Sequence, residues 1–489
     1  MSETIVNQRP DFPTAVVKFW GQRLLTHLRL SEPDAQPSDL PQHCPYFHIL
    51  VGTEDFWKGY RQNHVSHEHE AVNIITFVHP ISRRRIYAQL YGMPFGLASA
   101  VNQFNRAPQL LTAVARRVLL LICGHYFDDS IQFEYQDLAA QTKLLYVRFL
   151  QLFGVEISHG KRQPMTHIPK FLGQLTDLRS LLCDFTITMK GSPETILKAQ
   201  DLIGRALQER CLSSGEASKL RGILTWLEST FSGKPLAGAK SALIARQYWD
   251  TEHELTVTLQ KSLEILQLAL GHLPPRTVHI FPALSKPVVV YTDASTEAPC
   301  PSGCRIGVWI HDGETIWCEA VDVPRDILAA WLPRKTQINL LELLAVPLVA
   351  HANASILKSR DVIWFLDNQA ALGSLVKAAS RQSDVNYLSL LSGLVFAVLG
   401  SRPWYEWVPS RCNISDPLSR LGLADPLVQT QLARGTWRRL NLIPNWNLLQ
   451  PNLDSIATFI TALGSKNHET ALGTSVSSGR RETAVCISV

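Results

Sequence analysis

Two adjacent carboxylates, Asp128 and Asp129, stand in the middle of the run LLLICGHYFDDSIQFEY (residues 119–135). Val118 to Cys123 is almost wholly apolar and stops at Gly124, whereas Ile131, Phe133 and Tyr135 alternate with polar residues, so the pattern predicts two strands joined at the acidic pair. Neighbouring carboxylates at a hairpin tip repel each other and disfavour the turn unless a cation neutralises them. Magnesium, which takes carboxylate and phosphate oxygens, suits such a place. Aspartate is also an ordinary turn residue, so Tyr126-Phe127-Asp128-Asp129 taken alone reads more simply as a surface turn.

Its surroundings shift that balance. Tyr46 to Val51 is an apolar approach to Glu54-Asp55-Phe56-Trp57-Lys58-Gly59-Tyr60, which reads as a strand ending in a carboxylate and then a tight turn. If this strand lies beside the hairpin, Asp55 and Asp128 face one cation. His64, His67 and His69 suggest zinc, but no further ligand is spaced to complete the set, and Glu68 and Glu70 make a solvated loop the simpler reading. Val72 to Val78 and Ile86 to Leu90 predict a strand pair around Arg83-Arg84-Arg85, a turn that either binds phosphate or only keeps the surface soluble. Gly92-Met93-Pro94-Phe95-Gly96 is a turn that opens a helix through Arg106, leaving free backbone N–H groups in front of the aspartates. Such a surface suits a base pair or a nucleotide.

Bulk properties set outer bounds. With 489 residues and 46% hydrophobic content the chain has material for several domains with real cores, and a net charge of +5 permits a nucleic-acid partner without demanding one. The nine cysteines are odd in number, scattered, and contain no CxxC pair, a pattern of reduced thiols in an intracellular protein. Cys300, Cys304 and Cys318 lack a fourth ligand, so packing outweighs a metal site. No basic-then-apolar leader opens the chain, and the late apolar run Leu388 to Leu399 falls short of the roughly 18 residues a membrane span needs. The expected location is the cytoplasm or nucleus, with no membrane partner.

Five segments in order carry a family likeness: DFWKGYRQ (55–62), MPFGLASAVNQFNR (93–106), YFDD (126–129), Phe153-Gly154-Val155 with Lys161, and Phe171-Leu172-Gly173. Together they resemble the palm motifs of reverse transcriptases. The resemblance implies that Asp55 and Asp128 hold two Mg2+ ions, Mn2+ being possible, with Asp129 beside the primer end. It implies that Phe95, Gly96, Tyr60 and Lys161 serve the template and incoming dNTP, Tyr60 being the aromatic that excludes a ribose 2′-hydroxyl. Members of this family carry a longer fingers segment before the first aspartate. Residues 1–54 show no clear periodicity, with only Lys18, Arg23 and Arg29 as stand-ins, so a truncated polymerase is expected there.

From about 176 to 275 the pattern turns helical. Ser192-Pro193-Glu194 is a helix start, Ser213 with Glu216 a capping box, and Leu255 to Leu270 a further apolar face, all of them packing signals that suit a thumb. After Pro274-Pro275 strands return, at 288–295, 305–310, 315–321 and 362–366, with the helix 338–345 between them. Two strands ending in Asp293 and Asp367, and Glu342 flanked by leucines on a helix, place three acids at one end of a sheet, which is costly without a cation. YTDAS, LLELLA, FLDNQAAL and VPSxxNxxD resemble the ribonuclease H domain of retroelements, which implies metal-binding roles for Asp293, Glu342, Asp367 and Asp416. The mobile histidine of many members is absent from Val408 to Arg411, and Pro347 should kink the helix.

The expected architecture is an α+β palm and fingers (1–175), a helical thumb or connection (176–275), an α/β ribonuclease H-like domain (286–425), and a C-terminal extension (426–489) with a disordered end. The expected function is an RNA-directed DNA polymerase with ribonuclease H activity from a retrotransposon, a branch such as the DIRS-like elements being suggested by the VPSxxNxxD form. Its partners would be an RNA template, a DNA primer, an RNA–DNA hybrid and dNTPs. The alternative is an inactive or truncated relic that only binds nucleic acid. Oligomeric state is not set by the sequence.

Overall fold

The computed structural model describes residues 12–449 apart from 41–47, 72, 95–97, 182 and 282–285, together with 456. The expected disorder of the last residues, and Cys44 and Cys486, lie outside that set. The chain divides into two compact units, Met1–Thr195 with Pro275–Leu284, and Ile196–Pro274 with Ser285–Val489.

The first unit is built on a three-stranded antiparallel sheet ordered β1-β5-β4, where β1 is Ile49–Asp55, β4 Ile122–Tyr126 and β5 Asp129–Tyr135. Alternation sends Ile49, Val51, Ile131 and Phe133 to one face, and there they meet the helix α1, Phe12–Ser31, through Val16, Val17, Leu25 and Leu28. This helix corrects the reading of 1–54 as aperiodic. Its one proline, Pro13, lies in the first turn, where the missing N–H has no intrahelical partner to lose. Gly21 completes the stripe: a Cβ there would come within 3.3 Å of the Phe281 ring.

The opposite face carries the helices α4 (Ala98–Val118) and α5 (Ala139–Leu152), which share a core of Leu111, Ala115, Leu121, Tyr146 and Leu150 with Cys123 of β4. The apolar run from Val118 predicts strand throughout. Its first part instead closes α4, the chain reverses with Leu121 N–H on the Ala115 carbonyl at 3.1 Å, and β4 begins only at Ile122. Two short helices, α2 (Gly59–Gln62) and α3 (His67–Glu70), and the hairpin β2–β3 (Ile74–Val78, Arg85–Gln89) lie between β1 and α4. All five residues of β2 are exposed.

A second antiparallel sheet in this unit has the order β6-β7-β8-β9: Lys170–Phe171, Gln174–Asp177, Thr186–Gly191 and Arg276–His279. The helical pattern expected from 176 therefore starts later, at Pro193. Thr186, Ile187 and Met189 are buried in β8, and their pairing with residues about 90 positions downstream in β9 is a tertiary preference that local periodicity does not carry.

The second unit joins helices and a mixed sheet in one continuous core. Its helices are α6 (Pro193–Glu209, counted here from Ile196), α7 (Ser214–Glu228), α8 (Ala237–Tyr248) and α9 (Val257–His272). The capping box that opens α7 is present, with Ser213 Oγ accepting from Glu216 N–H at 3.2 Å and Glu216 Oε2 accepting from Ser213 N–H at 3.1 Å. The sheet has the order β14-β13-β10-β11-β12-β15. β10 (Val288–Ser295), β11 (Arg305–His311) and β12 (Ile316–Asp322) form an antiparallel meander; β13 (Asp361–Leu366) and β14 (Arg402–Trp407) run parallel to β10; β15 is Arg438–Arg439. One face carries α10 (Ile338–Ala352), α11 (Gln369–Lys377) and α12 (Ser383–Leu399). Pro347 is buried within α10, which is assigned as helix from Ile338 to Ala352. The other face packs Trp309, Cys318, Leu418, Val428 and Trp437 together.

Candidate functional site

The parallel pairing of β10 and β13 brings their carboxyl ends to the same edge of the sheet, where Asp293 stands two residues before the end of β10 and Asp367 directly follows β13. Glu342 reaches the same place from α10. Ligand oxygens of these three lie within 4.8 Å of one another, the one such group of metal-capable side chains among the described residues. Asp293 is 4% exposed and Glu342 2%.

Few donors meet that charge. Glu342 Oε1 accepts the Ala294 N–H at 2.9 Å, while Oε2 is buried with no hydrogen-bond partner. Burial, and then the charges of Asp293 and Asp367, hold Glu342 well above the ordinary carboxylate range. Asp293 is pushed up to about 7, by burial first; Asp367 and Asp416 raise it further, and the Ser419 hydroxyl, which donates to Oδ2, opposes them. Asn413 Nδ2 approaches Asp293 Oδ1 at 3.3 Å.

Asp416 stands apart from the group of three. It opens the helix α13, Asp416–Arg420, and Arg420 Nε bonds both its oxygens, at 2.9 and 3.0 Å. This segment is seated on β11 at Gly307, opposite Asp293, where any Cβ would lie 2.5 Å from the Ser415 carbonyl oxygen and from the Ser419 nitrogen. Ser419 and Gly307 carried no signal in the sequence, because their partners lie more than a hundred residues away in the chain, whereas Arg420 is one helical turn from Asp416.

The first unit also gathers acids at one end of a sheet. Asp55 pairs with Asp129 in register across β1 and β5, and Tyr126 with Asp129 closes a two-residue hairpin turn, Phe127-Asp128. Phe127 takes φ +52°, the left-handed region such tight turns need. Phe56 N–H donates to the Asp128 carbonyl at 2.9 Å, tying the end of β1 to the turn. Gly59 permits the close approach of α2: a Cβ there would lie 2.9 Å from Asp128 Cβ. Beside it Tyr60, 8% exposed, stacks on Phe104 with centroids 4.3 Å apart. Its phenol is held above its ordinary value by burial and then by the Asp128 charge.

Lys161 lies in the turn His159–Lys161, with its side chain outside the described residues, as are Phe95 and Gly96 altogether. The histidine group is not gathered for zinc: His69 Nδ1 meets Ser66 Oγ at 2.9 Å and His67 Nδ1 lies 3.1 Å from Glu70. Cys300, Cys304 and Cys318 form no ligand set among the described residues, and each is an unpaired thiol. Among the same residues no helix is long and apolar enough to cross a membrane.

A buried carboxylate oxygen without a donor, beside two further acids, is destabilising in isolation and becomes favourable when a divalent cation with an oxygen-ligand preference sits among them. The fold and site therefore define a mixed α/β protein with a cation-competent carboxylate cluster at the carboxyl edge of its main sheet. No protein-family model and no curated protein matches the chain. Solved structures to which it is similar are complexes of a foamy viral protease-reverse transcriptase. One with RNA/DNA hybrid shares 13% identity at a TM-score of 0.37, over 75% of this chain and 45% of that one. The dRH form with double-stranded DNA shares 14% at 0.36, over 73% and 56%. A third, with double-stranded DNA, shares 16% at 0.33, over 74% and 68%. The chain thus spans about half the length of the first two.

Proposed function

We propose that this chain copies RNA into DNA and degrades the RNA strand of the hybrid, with polymerisation in the first unit and ribonuclease H hydrolysis in the second. The observation that carries the reading is the group Asp293, Glu342 and Asp367, three carboxylates within 4.8 Å of one another with a buried oxygen lacking any donor. Asp293, Glu342 and Asp367 would hold Mg2+ there, and in the first unit Asp55 and Asp128 would do so. A divalent ion in such a place activates a hydroxyl or water and neutralises charge on the leaving oxygen. Around it the chain's own groups set geometry: Asn413 and Ser419 orient Asp293, the Ala294 amide orients Glu342, and the Phe127-Asp128 turn presents its acid against β1. Sequence selection is left to base pairing, so the protein needs to hold only the nucleic-acid backbone. The retroelement assignment rests on the order of the motifs alone.

A second reading, a nucleic-acid-binding relic, is favoured by Asp416, whose carboxylate is held by Arg420 rather than joined to the other three acids. The deciding assay gives full-length protein a DNA primer on RNA, dNTPs and Mg2+, and scores primer extension and RNA cleavage separately. Asp128→Ala is expected to abolish extension and spare cleavage, and Glu342→Gln to do the reverse. Tyr60→Val is expected to admit ribonucleotides. Wild-type protein inert in both arms would leave the relic as the reading.

A further inference from the structure

Glu54 precedes Asp55 on β1, so the alternation of the strand sends its side chain to the opposite face of the sheet, under α5. It is 2% exposed, and neither of its carboxylate oxygens has a hydrogen-bond partner. What faces it is charge. Lys143 Nζ of α5 lies 3.1 Å from Oε1, close enough for attraction though not aligned as a donor, and Arg162 Nε lies 3.8 Å from the same oxygen. Lys143 Nζ donates instead to the carbonyl of Gln163. One buried carboxylate thus gathers a cation from α5 and a cation from the segment that follows α5, and the lysine binds that segment directly.

The same segment lies along the outer edge of β1. Trp57 N–H donates to the Glu156 carbonyl at 2.9 Å, Ser158 N–H to the Asp55 carbonyl at 2.8 Å, and Val51 and Thr166 exchange two bonds of 2.9 Å. On the strand's other side, Ser130 Oγ donates to the Glu54 carbonyl at 3.2 Å. Backbone bonds thus fix the end of β1, where Asp55 stands, on both sides, and the buried Glu54 side chain lies against the same segment that holds its outer edge. For packing alone an ion pair here is a poor choice, because desolvating the charges offsets most of their attraction and an apolar residue of similar size would serve as well. A directional task explains it better: a charge can hold two cations from different elements in one arrangement.

We propose that Glu54 is a positioning residue of the first acidic site, its buried charge holding Lys143 and Arg162 so that residues 156–163, which include Lys161, stay in register with Asp55. The catalytic consequence rests on the polymerase reading; the structural one does not. The test uses the full chain with Glu54→Gln, Lys143→Met, the double variant, and Arg162→Gln. Hydrogen exchange at the Trp57 and Ser158 amides reports the register directly. Primer extension gives kcat and KM for dNTP, and RNA cleavage in a hybrid reports the second unit.

Glu54→Gln is expected to speed exchange at both amides and to lower kcat about 10- to 100-fold with KM within about two-fold, since displacement of a catalytic group by about an ångström is felt at that scale. RNA cleavage should stay at its wild-type rate. The double variant removes the lysine that Glu54 would hold in place, along with the charge, and should be no worse than Glu54→Gln alone, the non-additivity expected of residues that act through each other. Unchanged exchange at Trp57 and Ser158 in Glu54→Gln overturns the proposal, as does a kcat equal to wild type or strictly additive losses in the double variant. If the wild type extends no primer, the polymerase reading fails separately, and amide exchange alone decides the role of Glu54.

Discussion

The two acidic clusters differ in how they meet water. In the first unit Asp55, Asp128 and Asp129 are half-buried at strand ends around a two-residue turn, whereas in the second Asp293 and Glu342 are 4% and 2% exposed. A carboxylate at a strand end can stay hydrated when no ion is near. A buried one must take a proton, a donor or a cation, and Glu342 Oε2 has no donor. The second site should therefore couple its ligand strongly to folding, while the first should hold its ions mainly for chemistry.

The largest effect that can break this contrast is thermal stabilisation by Mg2+. An ion that binds only the native state stabilises it by about 2.7 kcal/mol at a hundred times its dissociation constant. Calorimetry of the full chain, with and without Mg2+, should show a clear rise in Tm for the wild type and for Asp128→Ala. Glu342→Gln should lose most of the rise. Its melting temperature without metal should be higher than that of the wild type, since a neutral amide removes repulsion from Asp293 and Asp367. An equal Mg2+ response in all three proteins contradicts the contrast.

The next effect is on pH. Asp293 sits at about 7 in the folded chain, against an ordinary unfolded value near 3.9, so between those limits the native state binds more protons than the unfolded one. Stability without metal is then highest below about pH 4 for this group and falls as pH rises towards 7, by an amount on the order of a few kcal/mol shared with Glu342. Denaturant melts from pH 5 to 8 in chelator should show the fall, and Asp293→Asn should flatten it. Asp128→Ala should leave the slope in place; a slope that vanishes in that variant would assign it to the wrong unit.

How much of each site was legible follows from the range of the interactions that build it. The turn at Asp128 could be read because alternation in β5 and the apolar run before it are local, and Glu342 could be read as buried because Leu340, Leu341, Leu343 and Leu344 flank it. That Asp55 would lie across from Asp129 was a condition no local pattern could supply; it depends on a pairing over more than seventy residues. The same holds for β8 with β9, which took residues 186–191 out of the expected helical stretch, and for Ser419, whose acceptor Asp293 lies more than a hundred residues away. α1 was hidden for a different reason: Pro13 looks like a breaker until its place in the first turn is known.

The smallest effect separates the donors of the two units. Ser419 Oγ donates to Asp293 Oδ2, whereas Ser130 Oγ, near the first acids, donates to the backbone carbonyl of Glu54 at 3.2 Å. One hydrogen bond to a charged group is worth about 1.5 kcal/mol net at the low end, which is about one pH unit in the affinity of its acceptor for a proton. Ser419 is the one group that opposes burial most strongly at Asp293, so its loss should raise Asp293 further. In Ser419→Ala, protons should compete better with Mg2+, and the rising limb of RNA cleavage against pH should move upward by a fraction of a unit to about one unit, with the rate at high pH little changed. Ser130→Ala should leave that limb where it is, because its hydroxyl serves the strand and not an acid. A shift of the limb in Ser130→Ala, or none in Ser419→Ala, would show that Asp293 is not the group whose protonation limits the second site.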